Sequence, residues 1–554
     1  MDFALALHSH LPYVLHHGRW PHGSDWLCEA ALDTYLPLIE VLRGLEAEGV
    51  PAPLTIGVTP VLANQLASPA FVAEMEAFFA QRLLACDEAP ASLATTGEGH
   101  LLPVVDFWRE RVGRLRGLYH AIGGDILAAL RSLQDDGRLE IITSAATHGF
   151  LPLLARDESI RLQLAVGRAE HRRLFGRASE GVWLPECAYR PRGAWHPWPT
   201  APRAGIRRGI EEHLSDARFR YFFADSHMAS AGRPLGIYGD PGDSAVGMVH
   251  RSPYKAYQVA HPRAAESVAA LVRDPRSSMQ VWSRFQGYPG DGSYLEFHKM
   301  RWPGGLKLWR VTGSDVDLGG KEPYDPDTAL RRARDHAEHF AGLLGEIAES
   351  ERERRDGVIV APFDTELFGH WWFEGPDWLG SVYRAVAREP RGIRPVTASR
   401  HLAEHPARQP VRFPSGSWGA NGDFSMWLND ATVWTWERLW PLEETFWDVA
   451  PAALAEPAAR PVLEQAAREL LLAQASDWQF IISTGAASDY AERRFREHCD
   501  DAQSLLDALA PEAGDRLAQA QSRAEELARR DQVFPDVLPA VAAALGGSRS
   551  LAVD

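Results

Sequence analysis

The stretch "GVIVAPFDTELFGHWW", residues 357–372, opens on valine, isoleucine and alanine and stops at an acid, Asp364. A continuous apolar run of this kind, without alternation, is expected of a strand covered on both faces, as in a parallel sheet flanked by helices. The charge then falls where the strand runs out. Further stretches share this build: "FALALHSH" (3–10), "PLTIGVTP" (53–60), "LEIITSAATHG" (139–149), "GVWLPECAY" (181–189), "RYFFADSH" (220–227) and "MQVWSR" (279–284). Helical periodicity follows them. Seven such strands predict an α/β chain with a seven-stranded, TIM-like parallel barrel; a doubly wound open sheet is the competing topology. In a parallel barrel the active site gathers at C-terminal strand ends. Here those ends carry His10, His148, Glu186, Asp225 and Asp364.

Three segments depart from the pattern. Residues 67–138 hold helical stretches without a strong strand between them, which predicts a helical insertion. Residues 228–262 are rich in glycine and proline and too long for an ordinary connection, as expected of a lid or binding loop. From about 411 the chain turns mainly helical to about 510, and 511–554 reads as a helix plus a frayed tail. The first 410 residues are therefore expected to form the catalytic part.

Composition narrows the function. With 554 residues and 45% hydrophobic content, the chain can bury a large core. Its net charge of −16 argues against nucleic acid or an anionic membrane surface as partner and suits a neutral substrate. No apolar stretch approaches the length of a membrane span, and the N-terminus lacks the basic and cleavage features of a signal peptide. Four widely spaced cysteines without a CxxC pair fit a reduced cytoplasm. The 19 tryptophans are unusual. Most single ones are expected in the core, but clusters such as "HWWFEGPDW" and "SWGANGDFSMW" suit surfaces that stack on sugar rings.

Glu186 follows a run of Val, Trp, Leu and Pro, and its bland explanation is a buried ion pair with Arg190 or Arg192. The alternative is a catalytic carboxylate partnered by Asp364 across a cleft. Two carboxyls about 5–5.5 Å apart let one attack an anomeric carbon while the other protonates the leaving oxygen. Their environments must then push the two pKa values apart. A rival account uses His8, His10, His148 and Asp364 as ligands of Zn or Mn, as in a deacetylase-like enzyme. The His-Ser-His spacing puts both rings on one face of a strand and serves either purpose.

Taken in order, "HSHLPYV", "IGVTP", "WLPECAYRP", "PFDTELFGHWW" and "SWGANGDFSMWLND" resemble the successive motifs of glycoside hydrolase family 57. "VWSRFQGYPGDGSYLEFHK" and "LLLAQASDW" resemble its α-glucan branching members, and the resemblance runs from about residue 3 to about 505. It implies a (β/α)7 barrel with a helical insertion and a helical C-terminal domain, acting without metal or cofactor on an α-1,4-glucan. By this resemblance Glu186 is the nucleophile and Asp364 the general acid/base. His10 and His148 line the donor sugar's subsite; Trp282, Trp418 and Trp427 hold the glucan. Asp477 is a polar site residue from the helical domain, and Tyr238 tips the loop over the cleft. The expected reaction is transfer of a glucan segment to a 6-hydroxyl, with an amylase-like hydrolase or a 4-α-glucanotransferase as the alternative. The stretch after about 510 has no counterpart in the resemblance.

Overall fold

The computed structural model describes residues 1–202, 204–230, 251–259, 267–283, 287–510 and 516–546. Its centre is a curled, mostly parallel sheet. Strands β1 (Asp2–Ser9), β2 (Leu54–Val58), β3 (Leu139–Ser144), β4 (Gly181–Trp183), β5 (Tyr221–Ala224), β6 (Val268–Val272) and β7 (Val358–Asp364) run in the order β7-β1-β2-β3-β4-β5-β6. Every residue of β1 is buried, as its unbroken apolar sequence requires of a strand packed on both faces. The register sets His8 beside Asp364 and beside Gly57, so the ends of β7, β1 and β2 lie together. At the far side Arg273 bridges Val360 in parallel, and the Asp274 amide donates to the Val360 carbonyl at 2.8 Å. The two outer strands of the row, β6 and β7, thus approach each other. A short strand, Tyr257–Val259, adds to β6 in the antiparallel sense and carries Pro410–Val411 on its other edge.

The sixth strand differs from expectation. "MQVWSR" is not a strand: Pro275–Trp282 is a helix, and the strand is the preceding "VAALV" of β6. Asp274 accepts from the Arg276 and Ser277 amides, and Pro275 occupies the first helical turn. An aspartate cap followed by proline is a strong helix start, and it outweighs the strand preference of Val281 and Trp282.

Between β2 and β3 the chain forms the helices Pro69–Thr96, Leu102–Ala121 and Ile126–Asp135. Of the stretch 228–262, the residues 231–250 and 260–262 lie outside the described residues. After the sheet come helices Val433–Ala455, Arg460–Ala473, Asp477–Thr484 and Ser488–Asp507, then Arg516–Arg530 and Val537–Leu545. The last of these was expected as frayed tail. Instead its Val537, Val541 and Ala544 are fully buried, and Arg161 of helix Asp157–Phe175 donates to the Ala544 carbonyl at 2.7 Å. The apolar run "VLPAVAAAL" has its own face to bury, and the helix after β3 covers it. No helix among the described residues is long and apolar enough to cross a membrane.

Candidate active site

Glu186 sits just beyond β4, where Leu184-Pro185 ends the strand. Its φ is +58°, and Cys187 follows at +47°. Two successive non-glycine residues in the left-handed region cost on the order of 1–3 kcal/mol each and persist only when the surroundings hold them. The holding segment comes from far along the chain. The Trp418 amide donates to the Glu186 carbonyl at 3.0 Å, and Tyr189 and Gly416 exchange both backbone bonds. The same Trp418 also donates its indole Nε1–H to Glu186 Oε2 at 2.7 Å. Neither arginine of the following stretch pairs with Glu186. Arg192 pairs with Glu212 at 3.3 Å, and no acid among the described residues bridges Arg190.

The other carboxylate oxygen, Oε1, meets Ser476 Oγ at 3.3 Å and lies 3.7 Å from His148 Nδ1. Ser476 and Asp477 stand at the start of helix Asp477–Thr484, where the Ser476 amide donates to the His148 carbonyl. Asp477 binds His10 Nε2 at 2.9 Å, while His10 Nδ1 meets Thr59 Oγ1 at 3.0 Å. The rings of His10 and His148 stack at 4.0 Å, and His8 Nε2 meets His148 Nε2 at 3.0 Å. His10, His148 and Asp477 each offer an atom within 4.8 Å of the others. Those atoms are already engaged in hydrogen bonds with neighbouring side chains.

Electrostatics divides these groups. Burial disfavours the charged imidazole of His10, but Asp477 beside it outweighs that and raises its pKa, with Glu366 and Glu186 adding to the rise. Burial and the neighbouring His10 hold His8 and His148 well below the usual range, as neutral rings. Burial pushes Glu186 up to about 7 against the pull of the Trp418 indole; Asp477 adds to the rise, and His10 and Ser476 oppose it. Asp364, at the end of β7, is raised well above the carboxylate range by burial, then by the nearby charges of Glu366 and Glu186, with Arg273 opposing. Among the described residues its carboxyl has no hydrogen-bond donor.

The structure therefore brings His10, His148, Glu186, Asp364, Trp418 and Asp477 to one place at the C-terminal strand ends. Trp282 joins them from the end of its helix rather than from a strand; its ring is 6.3 Å from those of Trp418 and Phe363. Trp427 behaves differently. It is 1% exposed, packed against Phe150 and Phe480, and its carbonyl accepts from the Trp436 indole. That is a core position beneath the site. Tyr238 lies outside the described residues. Asp225, another strand-end acid, is consumed by a buried pair with Arg273 at 2.5 Å.

Sequence reading passed over Glu366, Tyr35 and Ser476. Glu366 is buried two residues after Asp364, accepts from the Tyr35 hydroxyl at 2.5 Å and from the His10 amide at 3.1 Å, and is raised by burial to about 7. Its signal was the second acid in "DTEL". Tyr35 ends a π-helical turn, Ala31–Tyr35, of the type that often marks functional sites. Ser476 had no signal beyond adjacency to Asp477.

Residues 4–414 match the family model described as glycosyl hydrolase family 57.

The chain belongs to glycosyl hydrolase family 57.

Residues 441–541 match a second model, the 1,4-alpha-glucan branching enzyme C-terminal region, and so continue past residue 510 into the stretch for which the motifs suggested no counterpart. Within the family, the chain is 40% identical over 538 residues to a 1,4-alpha-glucan branching enzyme of Thermococcus kodakarensis, covering 96% of this chain and 77% of that one. The crystal structure of a family 57 branching enzyme from the same organism superposes with a TM-score of 0.88 at 39% identity, over 97% of this chain and 95% of the other. The α-amylase AmyC of Thermotoga maritima superposes with a TM-score of 0.79 at 29% identity, over 97% and 98%.

Proposed function

We propose that this chain is a cytoplasmic 1,4-α-glucan branching enzyme working by double displacement, with the seven parallel strands as a (β/α)7 barrel over about residues 1–410 and a helical domain after it. The observation that carries the reading is the pair of half-buried carboxyls in different settings, Glu186 among hydrogen-bond donors and Asp364 without one among the described residues and beside like charges. The Glu186 carboxylate attacks the anomeric carbon of an α-1,4-glucan as the glycosidic bond breaks. Asp364 delivers its proton to the departing 4-oxygen. A β-linked glucosyl ester on Glu186 results. The 6-hydroxyl of an acceptor chain then gives its proton to Asp364 while its oxygen attacks the anomeric carbon, breaking that carbon's bond to the Glu186 oxygen and forming an α-1,6 branch. His10, His148 and Asp477 are placed to bind sugar hydroxyls, and Trp282 and Trp418 to pack against pyranose faces. No step needs a Lewis acid. Four buried cysteines without disulfides suit a reducing compartment.

A second reading, hydrolysis, is favoured by the likeness to an α-amylase. It shares the first displacement and differs only in taking water at the second. Incubation with amylose separates the two. Isoamylase-sensitive branches that accumulate with few new reducing ends establish branching, whereas reducing ends without branches establish hydrolysis.

A further inference from the structure

Ser476 occupies the N-cap position of helix Asp477–Thr484, where a serine hydroxyl ordinarily accepts a backbone N–H. Here it makes no such cap. Its Oγ is 2.9 Å from His148 Nδ1 and 3.3 Å from Glu186 Oε1. His148 Nε2 in turn meets His8 Nε2 at 3.0 Å. His8 lies flat against Trp183, with ring centroids 4.6 Å apart and planes 5° apart, and among the described residues its Nδ1 is buried without a partner.

These contacts fix the protons. A buried N–H with no acceptor is costlier than a buried lone pair with no donor, so His8 leaves Nδ1 bare and carries its proton on Nε2. That proton is donated to His148 Nε2, which must be bare to accept it. His148 then carries its own proton on Nδ1 and donates it to Ser476 Oγ. With its oxygen accepting, the serine hydroxyl is free to donate to Glu186 Oε1. All four groups keep their ordinary neutral or anionic forms, and every bond points towards the nucleophile.

We propose that His8 and Ser476 are positioning residues of the displacement: His8 sets the tautomer of His148, and through it makes Ser476 a donor that steadies the Glu186 carboxylate. The proposal rests on Glu186 as nucleophile. Without the His8 proton, His148 can turn its tautomer over, and Ser476 would donate to His148 Nδ1 instead. Among the described residues the other groups facing Glu186 are Trp418, His10, Asp477, Asp364 and Cys187; none of them lies in this chain of donors.

The test reads the acid limb of the kcat/KM profile for maltooligosaccharide cleavage, which reports ionisation of Glu186 in the free enzyme. A donor to a carboxylate favours its ionised form, so losing one moves the limb to higher pH. Ser476→Ala is expected to move it up by about half a pH unit. His8→Leu should move it equally, and the double variant no further than either single one, because both break the same donor. His8→Gln, whose amide N–H can still donate to His148, should keep the limb near its original place. Should His8→Leu not fold, the 15N ring shifts of His148 decide: an Nδ1-protonated tautomer in the unmodified enzyme supports the chain of donors, and an Nε2-protonated one overturns it. An unmoved limb in Ser476→Ala, or additive shifts in the double variant, also overturns it. If Glu186→Gln retains turnover, the nucleophile assignment itself fails, which is a separate result.

Discussion

Glu186 and Asp364 are both strand-end carboxyls of one sheet, and both are driven up by burial. Beyond that they differ in their donors: like charge raises both, Glu186 through Asp477, but among the described residues only Glu186 is hydrogen-bonded. Glu186 receives an indole N–H at 2.7 Å and a hydroxyl at 3.3 Å, both from residues beyond 410. Asp364 has no donor among the described residues and feels the like charges of Glu366 and Glu186. Donors favour the ionised form and like charges the protonated one, so the contrast fits the proposed roles, with Glu186 attacking and Asp364 carrying the proton. Equal burial alone would leave the two interchangeable.

The sharpest way to break the contrast is to remove each carboxyl and look at stereochemistry. Glu186→Gln and Asp364→Asn should each lower kcat by roughly 10³-fold or more while melting near the parent enzyme. With an α-glucosyl fluoride donor and azide, Glu186→Ala should yield the β-azide, since azide takes the nucleophile's place. Asp364→Ala should yield the α-azide, since azide attacks the covalent intermediate. Anomers appearing the other way round would exchange the two roles.

A smaller effect tests the donors. The kcat/KM profile should rise through about pH 7 as Glu186 ionises and fall only at higher pH, where Asp364, held well above the carboxylate range, gives up its proton. Trp418→Phe keeps an aromatic ring but removes the N–H that lowers the Glu186 pKa. Its rising limb should move to higher pH, with about a tenfold loss of kcat/KM near neutrality. An unmoved limb would show that the indole acts through packing alone.

The smallest effect on turnover is expected at Trp427. Trp427→Ala should cost about 3–5 kcal/mol of stability, read from denaturant unfolding, because it empties a filled core site. The folded fraction should cleave glucan at nearly the parent rate. A large loss of activity without loss of stability would return Trp427 to the binding surface.

These residues also show how far a sequence can be read. Strands that end in a charge are visible because burial on both faces demands long apolar runs, and so Glu186 and Asp364 stand out. Trp418 and Trp427 occupy one motif, nine residues apart, yet one donates to Glu186 and the other is core. Which way each ring faces depends on helices more distant in the chain, and local composition carries no trace of that. Val and Trp favour strands and so put Trp282 on one by sequence, while the Asp274-Pro275 start signal that wins lies just upstream. Ser476 carries no local signal because its side-chain partners, His148 and Glu186, lie hundreds of positions earlier.

That separation in sequence has a consequence for synthesis. Glu186 and Ser476 are 290 residues apart, and His148 and Ser476 are 328 apart. At roughly 5–20 residues per second, a ribosome needs on the order of 15–60 s to pass from the first acid to its last donor. For most of that interval the growing sheet can form while Glu186 lacks both Trp418 and Ser476, and the left-handed turn at Glu186 has no Gly416–Trp418 segment to hold it. Catalytic competence is therefore expected to arrive only when the C-terminal helices dock, so that a nascent or truncated chain bearing both acids does not cut the glucan it was made to remodel.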